Sequence, residues 1–410
     1  MTLFDMVAVL LALAAGFAYL NARLLHLPPT IGVMTLSLAF SLGVLALGPL
    51  GIVDPSDWAR RTVSAIGFDR TLLDGMLSVL LFAGALQVPL DALGRQWRVV
   101  GVLATAGVVA STLLVGGAVF VLQSALGPQL PLVYCLLFGA IISPTDPVAV
   151  LGIVRRAGLP AYLQTRIAGE SLFNDGVAIV VFLVIAGLTA GEAGGAAQLA
   201  GLFGREVVGG VLLGLLLGGI GYTLLRSLDE YVVEVLITLA LVVGGYALAL
   251  QLHCSGPLTV VVAGLLIGNH GRRFAMSQRT RERLDTFWEL ADELFNIVLF
   301  LLIGLEVLVI PFDPMRVLLG IAAIPVVVGA RLAAVTGTLA VLSPVHEFDR
   351  GAATVLTWGG LRGGISVALA LSLPGGADRD LIVTMTYVVV VFSVLVQGLT
   401  VAPLVRRLAR

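Results

Sequence analysis

Residues 169–183 read GESLFNDGVAIVVFL. Glu170, Ser171, Asn174 and Asp175 place two acids, a hydroxyl and an amide in an otherwise apolar run. Residues four apart share one face of a helix, so Glu170 stacks over Asn174 and Ser171 over Asp175. The two stripes are adjacent, about 100° apart, and all four groups can point into one wedge of a helix bundle. Carboxylate, hydroxyl and amide oxygens are what a hard cation takes as ligands. A carboxylate also takes a proton, so the pattern suits a site where proton and cation compete.

Two further segments combine polar groups with helix breakers. Residues 141–150 read IISPTDPVAV; Pro144 and Pro147 each remove a backbone donor and bracket Thr145 and Asp146. The carbonyls left free near Ala140 and Ser143 then need protein groups, water or a cation as partners. Residues 357–369 read TWGGLRGGISVAL, where Gly359, Gly360, Gly363 and Gly364 surround Arg362 and permit a non-helical stretch.

The elements that carry these residues are membrane helices. The chain has 410 residues, 59% of them hydrophobic and 12% charged, with a mean hydropathy of +1.06. A soluble domain carries about 25% charged residues, so the composition excludes a soluble globular protein. A net charge of −1 gives no basic surface for nucleic acid. Cys135 and Cys254 are expected as free thiols, and no two histidines are spaced as metal ligands. The first 25 residues lack a basic start and read as a spanning helix, not a cleaved leader.

The hydropathy pattern predicts about thirteen spans, near 4–22, 28–49, 71–90, 98–124, 131–153, 163–190, 204–225, 230–251, 256–269, 289–310, 316–342, 351–374 and 380–403. All 24 basic residues are arginine. With thirteen spans, sixteen arginines fall on the side of the C-terminus, among them Arg155, Arg156, Arg166 and the run Arg272–Arg283. Six fall opposite: Arg60, Arg61, Arg70, Arg205, Arg316 and Arg379. The positive-inside rule then puts the C-terminus in the cytoplasm and the N-terminus outside. Residues 79–88, VLLFAGALQV, echo residues 298–307, VLFLLIGLEV. An offset of seven spans inverts topology and pairs the fifth span with the twelfth, which are the two with breakers. Inverted repeats with crossed broken helices place a transport site near the midplane.

A lone ionised side chain at the bilayer centre costs at least ~2.5–3.5 kcal/mol. Glu170, Asp175, Asp146 and Arg362 must therefore be paired, neutralised or hydrated. Glu170 and Arg362 are the expected ion pair, with Asn174 bonded to it. Asp146 either lines the cation site or caps a half-helix N-terminus, where anions are favoured. Arg331 pairs or reaches for the interface. Asp175 has neither a basic neighbour nor a cap, so it is the expected carrier. Asn296 is placed to reach the site.

SPTDPVAV, GESLFNDG, LFLLIGLEV and WGGLRGGISVALALSLP, in that order, resemble the monovalent cation:proton antiporter-1 family, which includes bacterial antiporters of the NhaP type and eukaryotic sodium/proton exchangers. The resemblance covers nearly the whole chain. It implies an all-α transporter, not an enzyme, that needs no cofactor and moves Na⁺ (or Li⁺ or K⁺) against H⁺. It implies a homodimer with core helices near 71–190 and 289–403 and scaffold helices near 1–49 and 204–269. Asp175 inherits the carrier role; Thr145, Asp146 and Ser171 inherit the cation site; Asn174 is held by Glu170 and Arg362. Several relatives carry an acid where this chain has Ala83.

A channel or an anion carrier with similar broken helices is the rival reading, and an intramembrane aspartyl hydrolase using Asp146 and Asp175 is a third. The polar residues cluster at one depth rather than lining a pore, and Arg362 is the chief midplane cation. The arginine asymmetry yields a first test: a reporter fused after Arg410 should read cytoplasmic and one in the 50–70 connection external, and the reverse pattern would overturn the orientation.

Overall fold

The computed structural model describes residues 3–47, 75–126, 130–146, 160–189, 196–310, 313–344, 348 and 351–408. Pro147 and the rest of the PVAV segment, the 50–70 connection with Arg60, Arg61 and Arg70, and Asp74, Arg155, Arg156, His346, Arg350 and Arg410 lie outside them.

Every regular element among the described residues is helical. In chain order these are α1 (Leu3–Leu20), α2 (Pro29–Leu47), α3 (Leu77–Gln87), α4 (Leu90–Val102), α5 (Val108–Leu126), α6 (Leu132–Ile142), α7 (Ala161–Thr189) and α8 (Ala196–Arg226). There follow α9 (Tyr231–Gln251), α10 (Gly256–Leu266), α11 (Gln278–Glu306), α12 (Pro314–Leu342), α13 (Ala352–Trp358), α14 (Gly364–Leu371), α15 (Ala377–Phe392) and α16 (Gly398–Leu408). Helix occurs within each of the thirteen predicted segments. Eight stretches among the described residues are individually long and apolar enough to cross a bilayer. The others fall short for particular reasons. α3, α6 and α10 have 11 residues each, where about 20 are needed. α11 has 29 residues but a charged first half, and the twelfth segment is split into α13 and α14.

Capping follows local chemistry. Ser255, with Pro257 just inside, starts α10; Ser277 accepts from the Thr280 amide to start α11; Asp313 accepts from the Met315 amide at 2.8 Å to start α12. Leucine and valine side chains such as Leu212, Leu216, Leu236 and Val243 remain exposed on outward faces, as expected where lipid is the solvent. Cys135 and Cys254 are both free.

One apolar cluster joins α5, α6, α12 and α15; another joins α3, α9, α10 and the middle of α11. Trp288 anchors the second. Its ring centroid lies 4.8 Å from that of Phe82, and its indole N–H donates to Thr238 Oγ1 at 3.1 Å. Asn269 stitches α10 to the α3–α4 turn, accepting from the Leu90 amide at 2.8 Å and donating to the Val88 carbonyl at 3.0 Å.

α8 meets α10 along Gly210, Gly214 and Gly218, four residues apart. A Cβ on Gly214 would stand 2.6 Å from the Thr259 carbonyl oxygen, and one on Gly218 would stand 3.1 Å from Ala263 Cα. Small residues at this period let membrane helices approach backbone to backbone. Gly214→Leu should therefore lower the thermal stability of the detergent-purified protein by at least ~1–3 kcal/mol, the scale of overpacking. Gly219→Leu, whose Cβ meets nothing within 4 Å, should leave it unchanged. Equal melting of both variants and the parent would remove this stripe as a packing determinant.

Candidate cation site at the helix crossing

α6 stops at Ile142, and Ser143–Asp146 continue without helical structure. α13 stops at Trp358 and α14 resumes at Gly364. The two breaks cross antiparallel: the Asp146 amide donates to the Leu361 carbonyl at 2.7 Å. The glycines of the second break are there for proximity rather than for unusual dihedrals. Gly359 (φ −79) and Gly363 (φ −125) occupy backbone regions open to other residues. A Cβ on Gly363 would come 2.3 Å from Asp146 Oδ2, one on Gly364 2.3 Å from Leu299 Cδ1, and one on Gly360 3.1 Å from Thr145 Cγ2.

Each exposed half-helix end has a charge placed against it. The C-terminal end of α6 leaves carbonyls free and carries partial negative charge. Arg362 Nη1 donates to the Ser143 and Pro144 carbonyls at 2.6 and 3.0 Å. The N-terminal end of α14 carries partial positive charge, and the Asp146 carboxylate lies against Gly363 there. The Arg362 amide donates to Ser393 Oγ at 2.9 Å, and that hydroxyl donates to Gln397 Oε1 at 2.6 Å across a π turn, Ser393–Gln397. A π turn at such a place re-aims side chains within an otherwise regular helix.

Here the structure corrects the expected pairing. Glu170 Oε1 pairs with Arg331 Nη1 at 2.5 Å, both groups being buried, and Arg331 Nη2 donates to the Leu356 carbonyl at 3.3 Å. Arg362 is occupied at the crossing instead. The physical reason is geometric. Arg362 sits inside the break and reaches the orphan carbonyls, whereas Arg331 on α12 faces both α7 and the end of α13. Asn174 is likewise held otherwise than expected: its Nδ2 donates to Thr145 Oγ1 at 2.8 Å, and its Oδ1 accepts from the Thr145 amide at 3.4 Å. Thr145 Oγ1 also lies 2.9 Å from Ser171 Oγ. Asn174, Ser171 and Thr145 thus tie α7 to the broken segment.

Asp175 stands apart from all of this. It is 3% exposed, and among the described residues its Oδ1 has no hydrogen-bond partner. It borders a cavity of about 60 Å³ whose polar wall is Thr145, Asp146, Asp175, Asn296 and Ser366. α3 contributes only carbon, through Leu77, Leu80, Leu81 and Gly84. Ala83 is buried outside that lining, so the residue that differs from several relatives is not on the wall. Ser171 and Asn174 also lie outside it. Among the described residues no group of three or more His, Cys, Asp or Glu side chains could hold a metal ion. Sequence reasoning missed Ser366, a serine in an apolar run with nothing to mark it, and did not choose Arg331 as the partner of Glu170, although a lone arginine within a span was the available signal.

A helix that ends and a helix that breaks, crossing inside a bundle of apolar helices beside a buried carboxylate with no basic partner among the described residues, are the arrangement of a membrane transporter. Residues 9–407 match the family described as the transmembrane sodium/hydrogen exchanger, and the chain belongs to that family. It is 49% identical over 409 residues to the Na⁺/H⁺ antiporter NhaP of Pseudomonas aeruginosa, covering 98% of this chain and 96% of the relative. It is 36% identical over 409 residues to the Na⁺/H⁺ antiporter NhaH of Halobacillus dabanensis, covering 98% and 97%. The fold matches the solved structure of the sodium proton antiporter MjNhaP1 of Methanocaldococcus jannaschii with a TM-score of 0.76 at 24% identity, covering 100% of this chain and 99% of that one.

The Glu170–Arg331 pair yields a test. Removing one member of a buried pair leaves an uncompensated charge and costs ~3–5 kcal/mol, whereas replacing both is often neutral. Arg331→Met should sharply reduce the folded, monodisperse fraction, and Arg331→Met with Glu170→Gln should restore much of it. Restoration by Glu170→Gln in an Arg362→Met background, and not in Arg331→Met, would return the pairing to Arg362.

Proposed function

We propose that the chain exchanges Na⁺ for H⁺ across the membrane, one for one, with Asp175 as the shared carrier. The observation that carries this reading is that both midplane arginines are committed elsewhere, Arg331 to Glu170 and Arg362 to the Ser143 and Pro144 carbonyls. Among the described residues, no arginine or other basic side chain lines the cavity that Asp175 borders. An ionised and empty carboxylate is costly there. Asp175 is therefore either protonated or ionised beside a bound cation, and binding one releases the other. Because Asn174 is neutral, one carboxylate exchanges one proton for one monovalent cation and the cycle moves no net charge. Thr145 and Asp146 face the same cavity. Ser171 stands behind Thr145, so its oxygen acts by orienting that hydroxyl or joins the cation when the segment shifts.

The wider reading follows the family. Core helices near 71–190 and 289–403 move against a scaffold near 1–49 and 204–269 and expose the site to each side in turn. The chain works as a homodimer, which the small residues Ala12, Ala15, Gly16 and Ala18 on α1 would permit through close helix approach. The membrane is the bacterial inner membrane, with the C-terminus cytoplasmic. Na⁺ is the favoured cargo because the relatives above carry that name; Li⁺ and K⁺ have the same chemistry.

The test is cation-driven proton flux in proteoliposomes. The parent protein should exchange Na⁺ for H⁺ at a rate unaffected by a clamped membrane potential. Asp175→Asn should abolish exchange and leave the size-exclusion profile intact, because a neutral amide lowers the cost of burial. Exchange retained in Asp175→Asn would falsify the carrier assignment, and a current-carrying parent would overturn the stoichiometry.

A further inference from the structure

Two other polar side chains on the cavity wall remain unexplained by the motif. Asn296, on α11, is 1% exposed. Its Nδ2 donates to the Asp292 carbonyl oxygen at 2.7 Å and to Asp292 Oδ1 at 3.1 Å. Turning the amide over would set its one acceptor oxygen against the two Asp292 oxygens and lose both hydrogen bonds, which favours this orientation. That leaves Asn296 Oδ1 buried and without a hydrogen-bond partner among the described residues. Ser366, in the first turn of α14, is also 1% exposed, and its Oγ is likewise unpartnered. A serine inside a helix ordinarily bonds a backbone group nearby, often the carbonyl three or four residues before it; among the described residues Ser366 Oγ has no partner. Both residues border the same cavity as Asp175, whose Oδ1 is a third buried oxygen without a partner among the described residues.

Buried polar atoms are satisfied in nearly all proteins, and an exception calls for a reason. Three such oxygens on three different helices around one cavity share one reason. A cation satisfies acceptors, and a carboxylate, an amide carbonyl and a hydroxyl oxygen can each serve as one. The motif oxygens are largely occupied with one another: Thr145 Oγ1 receives the Asn174 amide and meets Ser171 Oγ. A space of about 60 Å³ holds a monovalent cation together with a few waters, since a single water needs roughly 10–15 Å³ by this measure.

We propose that Asn296 Oδ1 and Ser366 Oγ are cation ligands that face Asp175 across the cavity and complete the coordination shell. This deepens, and rests on, the exchange reading above. Asn296 and Ser366 supply neutral oxygens from α11 and α14, so they change the affinity and the choice of cation and leave the proton count unaltered. Their spacing across the cavity sets the cation radius that is held best, which makes them determinants of discrimination among Li⁺, Na⁺ and K⁺.

The experiment uses the full-length protein in proteoliposomes with Na⁺, Li⁺ and K⁺ chlorides, and in detergent with NaCl against choline chloride. Ser366→Ala removes an unpartnered hydroxyl and should fold as the parent does. Asn296→Ala loses the bonds to Asp292 as well. Each should raise the apparent KM for Na⁺ by about tenfold, the scale of one lost polar contact. Each should change the Li⁺-to-Na⁺ preference and leave the one-for-one stoichiometry intact. In detergent, the rise in melting temperature that NaCl gives the parent should shrink in both variants, because a ligand stabilises the folded state in proportion to its affinity. A structural role alone would lower melting equally in NaCl and choline chloride and leave the KM for Na⁺ unchanged; that result overturns the proposal while the exchange reading stands. If Asn296→Ala does not fold, Ser366→Ala decides alone. A parent that neither exchanges Na⁺ nor gains stability from it would overturn both readings together.

Discussion

Charge that enters a bilayer must be compensated on the spot, and the interior of this protein is arranged around that requirement. An ion in hydrocarbon has no water to fall back on. The junction of α6, α7, α12 and α14 contains Glu170, Asp146, Asp175, Arg331 and Arg362 in close succession. Four of these have an identifiable counterpart. Arg331 meets Glu170, Arg362 meets the carbonyl end of α6, and Asp146 lies at the amide end of α14. Among the described residues Asp175 is the one left over, and the cavity lies at its side.

The crossing of the two breaks is what makes this allocation possible. A continuous helix keeps its carbonyls and amides to itself; an interrupted one presents dipole ends inside the protein. Here the two interruptions lie close enough for the Asp146 amide to bond the Leu361 carbonyl. That approach is permitted because Gly363 has no Cβ to strike Asp146 and Gly360 none to strike Arg331 and Thr145. The glycines, the bridging hydrogen bond and the two helix-end charges form one mechanical unit. Shifting one of the two helices against the other would change the surroundings of Asp146 and of the cavity wall together. In the proposed exchange this couples occupancy of Asp175 to the position of the crossing.

The surrounding helices serve that unit by packing rather than by polarity. α5 and α6 meet where Gly139 lies against the Thr112 carbonyl, and a Cβ there would be 2.3 Å from it. α8 and α10 meet along their glycine stripe, and Trp288 locks α11 to α3 and α9. Apolar packing surrounds the cavity on both sides, and a low-dielectric surround strengthens electrostatic interactions within it.

The sequence by itself determined that this chain spans a membrane, that helix is lost at the SPTD residues of its fifth segment and within its twelfth, and that the polar groups of GESLFNDG lie on neighbouring stripes of one helix. Those properties depend on composition, on proline and glycine chemistry and on helical period, all local quantities. It also singled out Asp175, because the absence of any neighbouring base or cap is readable along the chain. The tertiary structure decided which arginine serves which acid. Arg331 and Arg362 both stand alone in apolar helices, and only their positions in space separate a partner for Glu170 from a cap for α6. It likewise decided that Asn174 and Ser171 clamp Thr145 rather than line the cavity, and that Asn296 and Ser366 do line it. A hydrogen bond between residues 29 apart, such as Asn174 to Thr145, depends on how α7 lies against an interrupted helix, and no periodicity within either segment encodes that distance.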